Sequence, residues 1–181
     1  VPGEICSSTT ISNNSFSIAF GNFSLAPRVG KSAGFIGLNY AYINDFDDVN
    51  DDSFGDGINL DRYSFFSKWN FGRKSEKPFT LAAKYYYEDR RNGVEEFVRD
   101  RAYRKLRGSD SIYGESIYTH RFEVFGSYVF NSEEDLKIDY SFSTHDQDSY
   151  YGSDFYKADQ NIAYASLQWR KPVGSHELLI G

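Results

Sequence analysis

The sequence has no methionine, little leucine and a single cysteine, Cys6. The shortage of leucine and methionine argues against a helical bundle, and one cysteine cannot form an intramolecular disulfide or a paired-cysteine metal site. No run of about 18 apolar residues occurs, which excludes a transmembrane helix but leaves open a transmembrane barrel, whose strands carry a much weaker signal. Lys and Arg number 20 against 26 Asp and Glu, and this net charge of −6, without a basic stripe in the sequence, argues against nucleic acid as a partner.

Aromatic residues are abundant instead, at 18% of the chain, with 15 Tyr, 16 Phe and 2 Trp. Tyrosine and phenylalanine favour half-buried pleated surfaces, so this composition predicts an all-β protein. The segment from residue 59 to residue 71 shows the expected period of two. One face carries Tyr63, Phe65, Ser67, Trp69 and Phe71, and the other carries Arg62, Ser64, Phe66, Lys68 and Asn70.

The same period predicts about eight antiparallel strands, and no helical pattern of useful length interrupts them. The predicted strands cover roughly residues 15–24, 35–43, 59–71, 79–90, 116–130, 136–144, 160–170 and 177–181. No low-complexity linker suggests a boundary between domains. We therefore expect an unassigned N-terminal stretch over residues 1–14 and a single β-barrel segment over residues 15–181.

The connections between these strands alternate between short and long. Residues 25–31, 72–78, 131–135 and 171–176 form short connections, whereas residues 44–58, 92–115 and 146–159 form long ones. All tight turns are thus expected at one end of the sheet and all long loops at the other. Several predicted strands also exceed the usual length of about 5–6 residues. This pattern is typical of an outer-membrane barrel with periplasmic turns and extracellular loops.

A soluble barrel or sandwich would also have strands that alternate between an apolar and a polar face. The chemistry of the two faces therefore has to distinguish a soluble protein from a membrane barrel. One face is too charged for the interior of a small soluble barrel: it carries Arg62, Lys68, Lys84, Glu88, Arg121, Glu123, Lys137 and Asp139. The other face is apolar, and its aromatic residues gather near strand ends, as interfacial girdles require. This favours an antiparallel transmembrane β-barrel with a polar lumen. The side chains predicted to face lipid are Tyr63, Phe65, Tyr85, Ile138 and Tyr140.

Four stretches carry a resemblance to a known family: KYYYEDRRNG, LRGSDSIYGESIYTHR, THDQDSYYGSDFYKADQNIAYASLQW and the closing SHELLIG. With them the chain resembles TonB-dependent outer-membrane receptors of the Bacteroidota type, which take up cobalamin, haem or siderophores. The resemblance extends from about Gly34 onward, and residues 1–33 are not placed by it. Members of that family are several times longer and carry an N-terminal plug inside a barrel of about 22 strands. The resemblance therefore implies that this chain is an internal segment of such a barrel.

The function implied is uptake of a scarce, bulky nutrient (cobalamin, haem or a ferric siderophore) across the bacterial outer membrane, with no enzymatic step. The implied partners are outer-membrane lipid, the TonB complex acting through the plug, and the nutrient itself, with a surface lipoprotein as a further candidate. A small eight-stranded structural or adhesive barrel is the alternative, and a soluble β-sandwich enzyme comes third. Loop side chains and inward-facing residues would supply the binding energy.

The acidic stretch FDDVNDDSFGD, residues 46–56, raises the question of a metal site. Every second position offers an oxygen ligand, and the candidate calcium ligands are Asp48, Asn50, Asp52, the Phe54 carbonyl and Asp56, with Asp45 and Asp47 as extra ligands. Ca²⁺ takes six to eight oxygens from carboxylates, amides and carbonyls. The helix–loop–helix calcium signature fails, because Ser53 replaces its glycine and no helices flank the stretch. A structural calcium ion and a solvated acidic turn both remain open.

No set of residues indicates catalysis. His120, His145 and His176 lie on three different segments without metal-ligand spacing, and no serine has a matched histidine and aspartate. The stretch YYYEDRR pairs Glu88 and Asp89 with Arg90 and Arg91, which predicts an ion-pair network in the lumen. The loop aromatics are expected to pack the loop base rather than to contact a ligand: Tyr150, Tyr151, Phe155 and Tyr156.

Overall fold

The computed structural model describes residues 9–12, 16–72, 77–98, 103–109, 111–131 and 135–181. These residues form ten strands and two short helices. The strands are β1 (Thr9–Ser12), β2 (Phe16–Leu25), β3 (Arg28–Val29), β4 (Ser32–Asp45), β5 (Asn59–Phe71), β6 (Phe79–Gly93), β7 (Gly114–Asn131), β8 (Leu136–Tyr151), β9 (Asp154–Val173) and β10 (His176–Ile180). The helices, α1 (Glu95–Val98) and α2 (Tyr103–Leu106), both lie in the connection between β6 and β7.

All ten strands belong to one antiparallel sheet, in the order β1-β2-β4-β5-β6-β7-β8-β9-β10, with β3 paired to the start of β4. Each long strand therefore pairs with the next long strand along the chain. Within the described part of the chain, β1 and β10 do not pair with each other, so the sheet is open. The all-β antiparallel prediction is confirmed. No helix among the described residues is long and apolar enough to cross a membrane.

The predicted strand at residues 59–71 matches β5, and the other predicted strands are found with longer or slightly shifted bounds. One prediction is wrong: residues 146–159 are not a long loop. Strands β8 and β9 continue through them to a two-residue turn at Gly152 and Ser153, where Gly152 has a φ of 60° that favours glycine. The sequence pattern also did not predict the short strands β1 and β3. The expected boundary between residues 14 and 15 and Cys6 lie outside the described residues.

The register places like side chains side by side across the sheet. Tyr40, Tyr63 and Tyr87 occupy one row on β4, β5 and β6. Alternate residues of a strand point to opposite faces of the sheet. Residues that are paired across neighbouring strands point to the same face, so each face consists of rows of paired residues. The face that we call the apolar face carries Ile36, Leu38, Tyr40, Tyr63, Phe65, Trp69, Phe71, Phe79, Leu81, Ala83, Tyr85, Phe122, Val124, Tyr128, Ile138, Tyr140 and Phe142. The opposite face, called the polar face, carries the charges predicted for it.

Aromatic side chains on the apolar face cover glycines on neighbouring strands. The Trp69 ring lies over its cross-strand partner Gly34, where an added Cβ would come within 2.8 Å of ring atoms. At Gly126, the partner of Tyr140, an added Cβ would overlap the Thr80 carbonyl and come within 2.6 Å of the Tyr140 hydroxyl, which donates to that carbonyl at 2.9 Å. Glycine is required at Gly34 because the ring occupies the space of a side chain, and at Gly126 because the Thr80 carbonyl does. Many large apolar side chains of this face, such as Leu38 and Phe142, remain exposed on the isolated sheet.

Candidate functional site

The acidic loop, residues 46–58, uses its side-chain oxygens to hold its own backbone. Both carboxylate oxygens of Asp48 accept backbone N–H groups, from Asp52 at 3.1 Å and from Ser53 at 2.8 Å. Asp52 accepts the N–H of Phe54 at 2.8 Å, and Asp56 accepts the N–H of Val49 at 2.7 Å. Side-chain oxygens of Asp and Asn commonly close turns of this kind.

The predicted calcium ligands therefore lie in one loop, and their oxygens meet N–H donors there. The Asn50 side-chain oxygen also accepts from the Asp52 N–H at 3.1 Å, and its amide donates to the Asp52 carboxylate at 3.2 Å. Across the described ranges, no group of three or more His, Cys, Asp and Glu side chains is placed to hold a metal ion. The ligand types suit calcium, but a bound ion would compete with these N–H donors. The calcium site stays a prediction.

The acidic loop is attached to the connection between β6 and β7. Phe54 forms an isolated antiparallel bridge with Val94, and the Gly55 N–H donates to the Gly93 carbonyl at 3.0 Å. The Asn92 amide donates to the Gly55 carbonyl at 2.6 Å. These bonds join two loops that are far apart in sequence and hold them together at the loop end of the sheet.

A small hydrophobic cluster lies under the joined loops. Phe97 and Val98 of α1 are fully buried, and Phe46, Val94 and Ile112 pack against them. Gly93 and Gly114 are paired residues at the ends of β6 and β7. The Phe97 ring lies so close to Gly114 that an added Cβ would overlap it. Both strands thus end in glycine where the helix crosses them.

A buried arginine, Arg91 of β6, lies beside this cluster. It lies at the loop ends of β5, β6 and β7, beyond the apolar rows. The Arg91 side chain is 0% exposed, and its Nη1 lies 3.3 Å from Asp61 and 3.6 Å from Asp89. The four residues predicted to form one ion-pair network therefore lie on two different faces of the sheet: Glu88, Asp89, Arg90 and Arg91. The Glu88–Arg90 pair lies on the polar face as expected, whereas Asp89 and Arg91 point to the opposite face, since neighbouring residues of a strand alternate.

Arg107, which follows α2, ties the β6–β7 connection to this buried group. Its Nη2 lies 3.7 Å from Asp89, its Nε donates to the Ser116 hydroxyl at 3.1 Å, and its guanidinium stacks 3.6 Å above the Tyr118 ring. Burial lowers the pKa of the Arg107 guanidinium, and the Asp89 carboxylate raises it in opposition. Arg107 stays charged under any ordinary condition, because a guanidinium loses its proton only in strongly alkaline solution.

The end of the same connection holds a perturbed tyrosine. Burial raises the pKa of the Tyr113 hydroxyl, and the charge of Glu115 raises it further. The hydroxyl donates to the Glu115 carboxylate at 3.2 Å. Tyr113 therefore remains protonated at neutral pH and acts as a hydrogen-bond donor.

The polar face carries two clusters in which one carboxylate serves two cations. Glu88 lies 2.8 Å from Arg90 and 3.7 Å from Arg62, and it also accepts the Tyr86 hydroxyl at 2.7 Å. Glu123 contacts Arg121 at 2.5 Å and Lys84 at 3.7 Å. Each cluster therefore carries one excess positive charge.

The apolar face carries an aromatic row at each of its two ends. One row lies at the turn end of the sheet, where the rings of Phe71 and Phe79 are 5.5 Å apart and those of Tyr128 and Phe130 are 5.0 Å apart. The other row lies nearer the loops, where Tyr63 stacks on Tyr87 at 4.7 Å. Further aromatic residues lie between these two rows, and the middle row carries mostly small or aliphatic residues: Ser67, Ala83 and Val124 beside Phe142.

The three histidines lie on different strands and do not form a site together. His120 lies on β7 near Tyr85, His145 lies on β8 and bonds Gln147 at 3.3 Å, and His176 begins β10. The aromatic residues of the β8–β9 hairpin pack against one another, with rings 4.8 Å apart in Tyr150 and Phe155 and 6.0 Å apart in Tyr151 and Tyr156.

Comparison of the chain with protein-family models, with curated proteins and with solved structures found no match. The resemblance to TonB-dependent receptors thus stays an interpretation of the sequence. The function has to be argued from the two faces of the sheet and from its loops.

Proposed function

We propose that this chain forms part of the wall of an outer-membrane transport barrel of the TonB-dependent receptor type, which takes up a scarce, bulky nutrient of the cobalamin, haem or ferric siderophore class. The observation that carries the proposal is the contrast between the two faces. One face is continuously apolar over neighbouring strands β4 to β8, and the other carries ion pairs. Lipid requires the first surface, and a water-filled or plugged lumen suits the second.

The height of the apolar face supports this assignment. On β5 it begins at Phe71 and gives way to charge at Asp61, ten residues away. Ten residues rise about 33 Å along a strand, and a tilt of about 40° reduces this to about 25 Å. The apolar band of outer-membrane barrels is about 25 Å tall and has aromatic girdles at both interfaces. The two aromatic rows occupy the corresponding positions.

The parts of the molecule then have distinct roles. The apolar face contacts lipid, and the polar face lines the passage beside a plug. The joined loops, with the Arg91 group below them, form an ordered entrance on the outer surface. Nutrient binds through loop and inward-facing side chains, and the TonB complex drives release through the plug. No bond is made or broken in the nutrient.

Fractionation of the native source tests the proposal. The full-length protein should remain with outer membranes after alkaline washing and should require detergent for release. Its intact mass and any co-purifying small molecule should then be determined, and uptake should stop when the inner-membrane proton gradient is collapsed. Recovery in the aqueous fraction without detergent contradicts the proposal. A detergent-soluble protein whose uptake ignores the gradient would favour the small structural barrel instead.

A further inference from the structure

The pairing register gathers cations into a line on the polar face. Five consecutive rows of paired residues cross β5, β6 and β7, and each row contains one cation. In order from the loop end these cations are Arg90, Arg62, Arg121, Lys84 and Lys68, which we call the cation ladder. Successive rows are two residues apart, about 7 Å along a strand, so the ladder is about 27 Å long.

The acids among these rows are withdrawn from the surface. Glu88 and Glu123 keep 6% and 19% of their side-chain exposure, whereas Arg62, Lys84, Arg90 and Arg121 keep 37–47%. Lys68 is exposed as well. The rows thus present five cations over two shielded carboxylates, although the whole chain has a net charge of −6.

This arrangement differs from an ordinary surface ion-pair network, in which both charges face solvent and cancel. Here the buried carboxylates fix the guanidinium groups in place, and the exposed N–H groups stay available to a second acceptor. Arginine presents five donors in a planar fork that matches carboxylate and phosphate groups. Fixing the forks in advance reduces the ordering cost when an anion binds.

We propose that the cation ladder binds a small multivalent anion whose carboxylate or phosphate groups reach cations on neighbouring strands. Successive cations lie one row apart and one or two strands apart, so their Cα atoms are roughly 8–12 Å apart, a distance that the long side chains can shorten. Under the proposed function, on which this step rests, the ladder makes the nutrient, or its complex, an anionic one. The ligand engages Arg62 and Arg121 first, because these residues occupy adjacent rows and each belongs to one of the two ion-pair clusters. The remaining cations provide a path along the wall toward the turn end.

Binding of tripolyphosphate and of tricarballylate to the full-length detergent-solubilised protein tests the proposal, measured by calorimetry in buffer free of divalent cations. The two probes distinguish phosphate from carboxylate as the recognised group. At least one should bind, and more weakly at 200 mM than at 50 mM salt. Arg62→Gln should weaken binding about three- to fiftyfold, the range for one unit charge at about 7 Å between effective dielectrics of 80 and 20.

The decisive variant is Glu88→Gln, which removes an acid from the same cluster. Anion binding should become tighter, whereas a purely structural network would lose order and bind more weakly or not at all. Arg121→Gln and Glu123→Gln repeat this opposed pair in the second cluster, should the Glu88 variant fail to fold. Lys157→Gln is the matched control, because Lys157 lies among Asp146, Asp148 and Asp159 on the other face. It removes the same charge and should leave binding unchanged.

Failure of both probes to bind overturns the proposal, as does a change in the same direction for the Arg and Glu variants of both clusters. An effect of Lys157→Gln equal to that of Arg62→Gln overturns it too, since bulk charge would then suffice. The binding assay does not depend on where the protein resides. A membrane protein that binds no anion refutes the ladder alone, and an anion-binding protein without membrane attachment refutes the proposed function alone.

Discussion

Arginine substitutions at two depths of the apolar face should separate a lipid-facing sheet from a soluble one. Five rows of this face lie between Phe71 and Tyr63 on β5, and Phe142 of β8 belongs to the middle row, through its pairing with Val124 and Ala83. Ile138 belongs to the outermost row, beside Tyr128. In lipid, arginine costs about 2–4 kcal/mol at the midplane and about 0–1 kcal/mol near an interface.

The same structure predicts a different outcome in water. Phe142 is 44% exposed on the sheet, so arginine there would lose little packing. Surface substitutions of this kind usually change stability by less than about 0.5 kcal/mol. The difference between the two environments is therefore several times larger than the error of an unfolding titration.

The assay is reversible denaturant unfolding of the full-length protein in lipid vesicles. Phe142→Arg should lower the free energy of unfolding by about 2–4 kcal/mol, Ile138→Arg by about 1 kcal/mol or less. Ser143→Arg is the matched control, because its side chain points to the polar face and its cross-strand partner is Glu123. Equal effects of the three substitutions would refute the assignment of the apolar face to lipid.

The presence of each strand, and the face to which its side chains point, could be predicted from the sequence. Both depend on the local alternation of apolar and polar residues. The predicted bounds of β5 match the structure, since the period of two continues without interruption from Asn59 and a glycine with φ of 65° follows at Gly72. The β8–β9 hairpin was mistaken for a loop because its residues are acidic and aromatic. Yet Asp146 and Asp148 lie on the apolar face beyond the apolar band, where charge is tolerated.

Features that depend on contacts between distant residues could not be predicted. Phe46 meets Phe97 only because two loops are joined, and nothing in either segment indicates the other. The cation ladder requires the register of three strands, and the net charge of −6 conceals it. Exposure decides its chemistry, since Glu88 and Glu123 would cancel the charge if they were exposed.

Three further predictions concern the loop end of the sheet. Gly114→Ala should destabilise the joined loops by about 1–3 kcal/mol, because the new methyl group overlaps the Phe97 ring. Faster proteolysis within residues 94–113 would report this loss. Gly57→Ala is the control, because a methyl group there enters open space. Arg91→Met should cost about 3–5 kcal/mol in the free energy of unfolding, because it removes the buried cation that Asp61 and Asp89 share. A loss below about 1 kcal/mol would show that the site is hydrated. Millimolar calcium should protect the acidic loop from proteolysis, and Asp52→Ala should abolish that protection, because calcium sites in extracellular modules bind at about 10⁻⁴–10⁻³ M and Mg²⁺ fits such irregular sites poorly. If the loop is equally resistant with calcium, with chelator and in the Asp52 variant, the backbone N–H groups that its carboxylates accept are sufficient to order it, and no ion is needed.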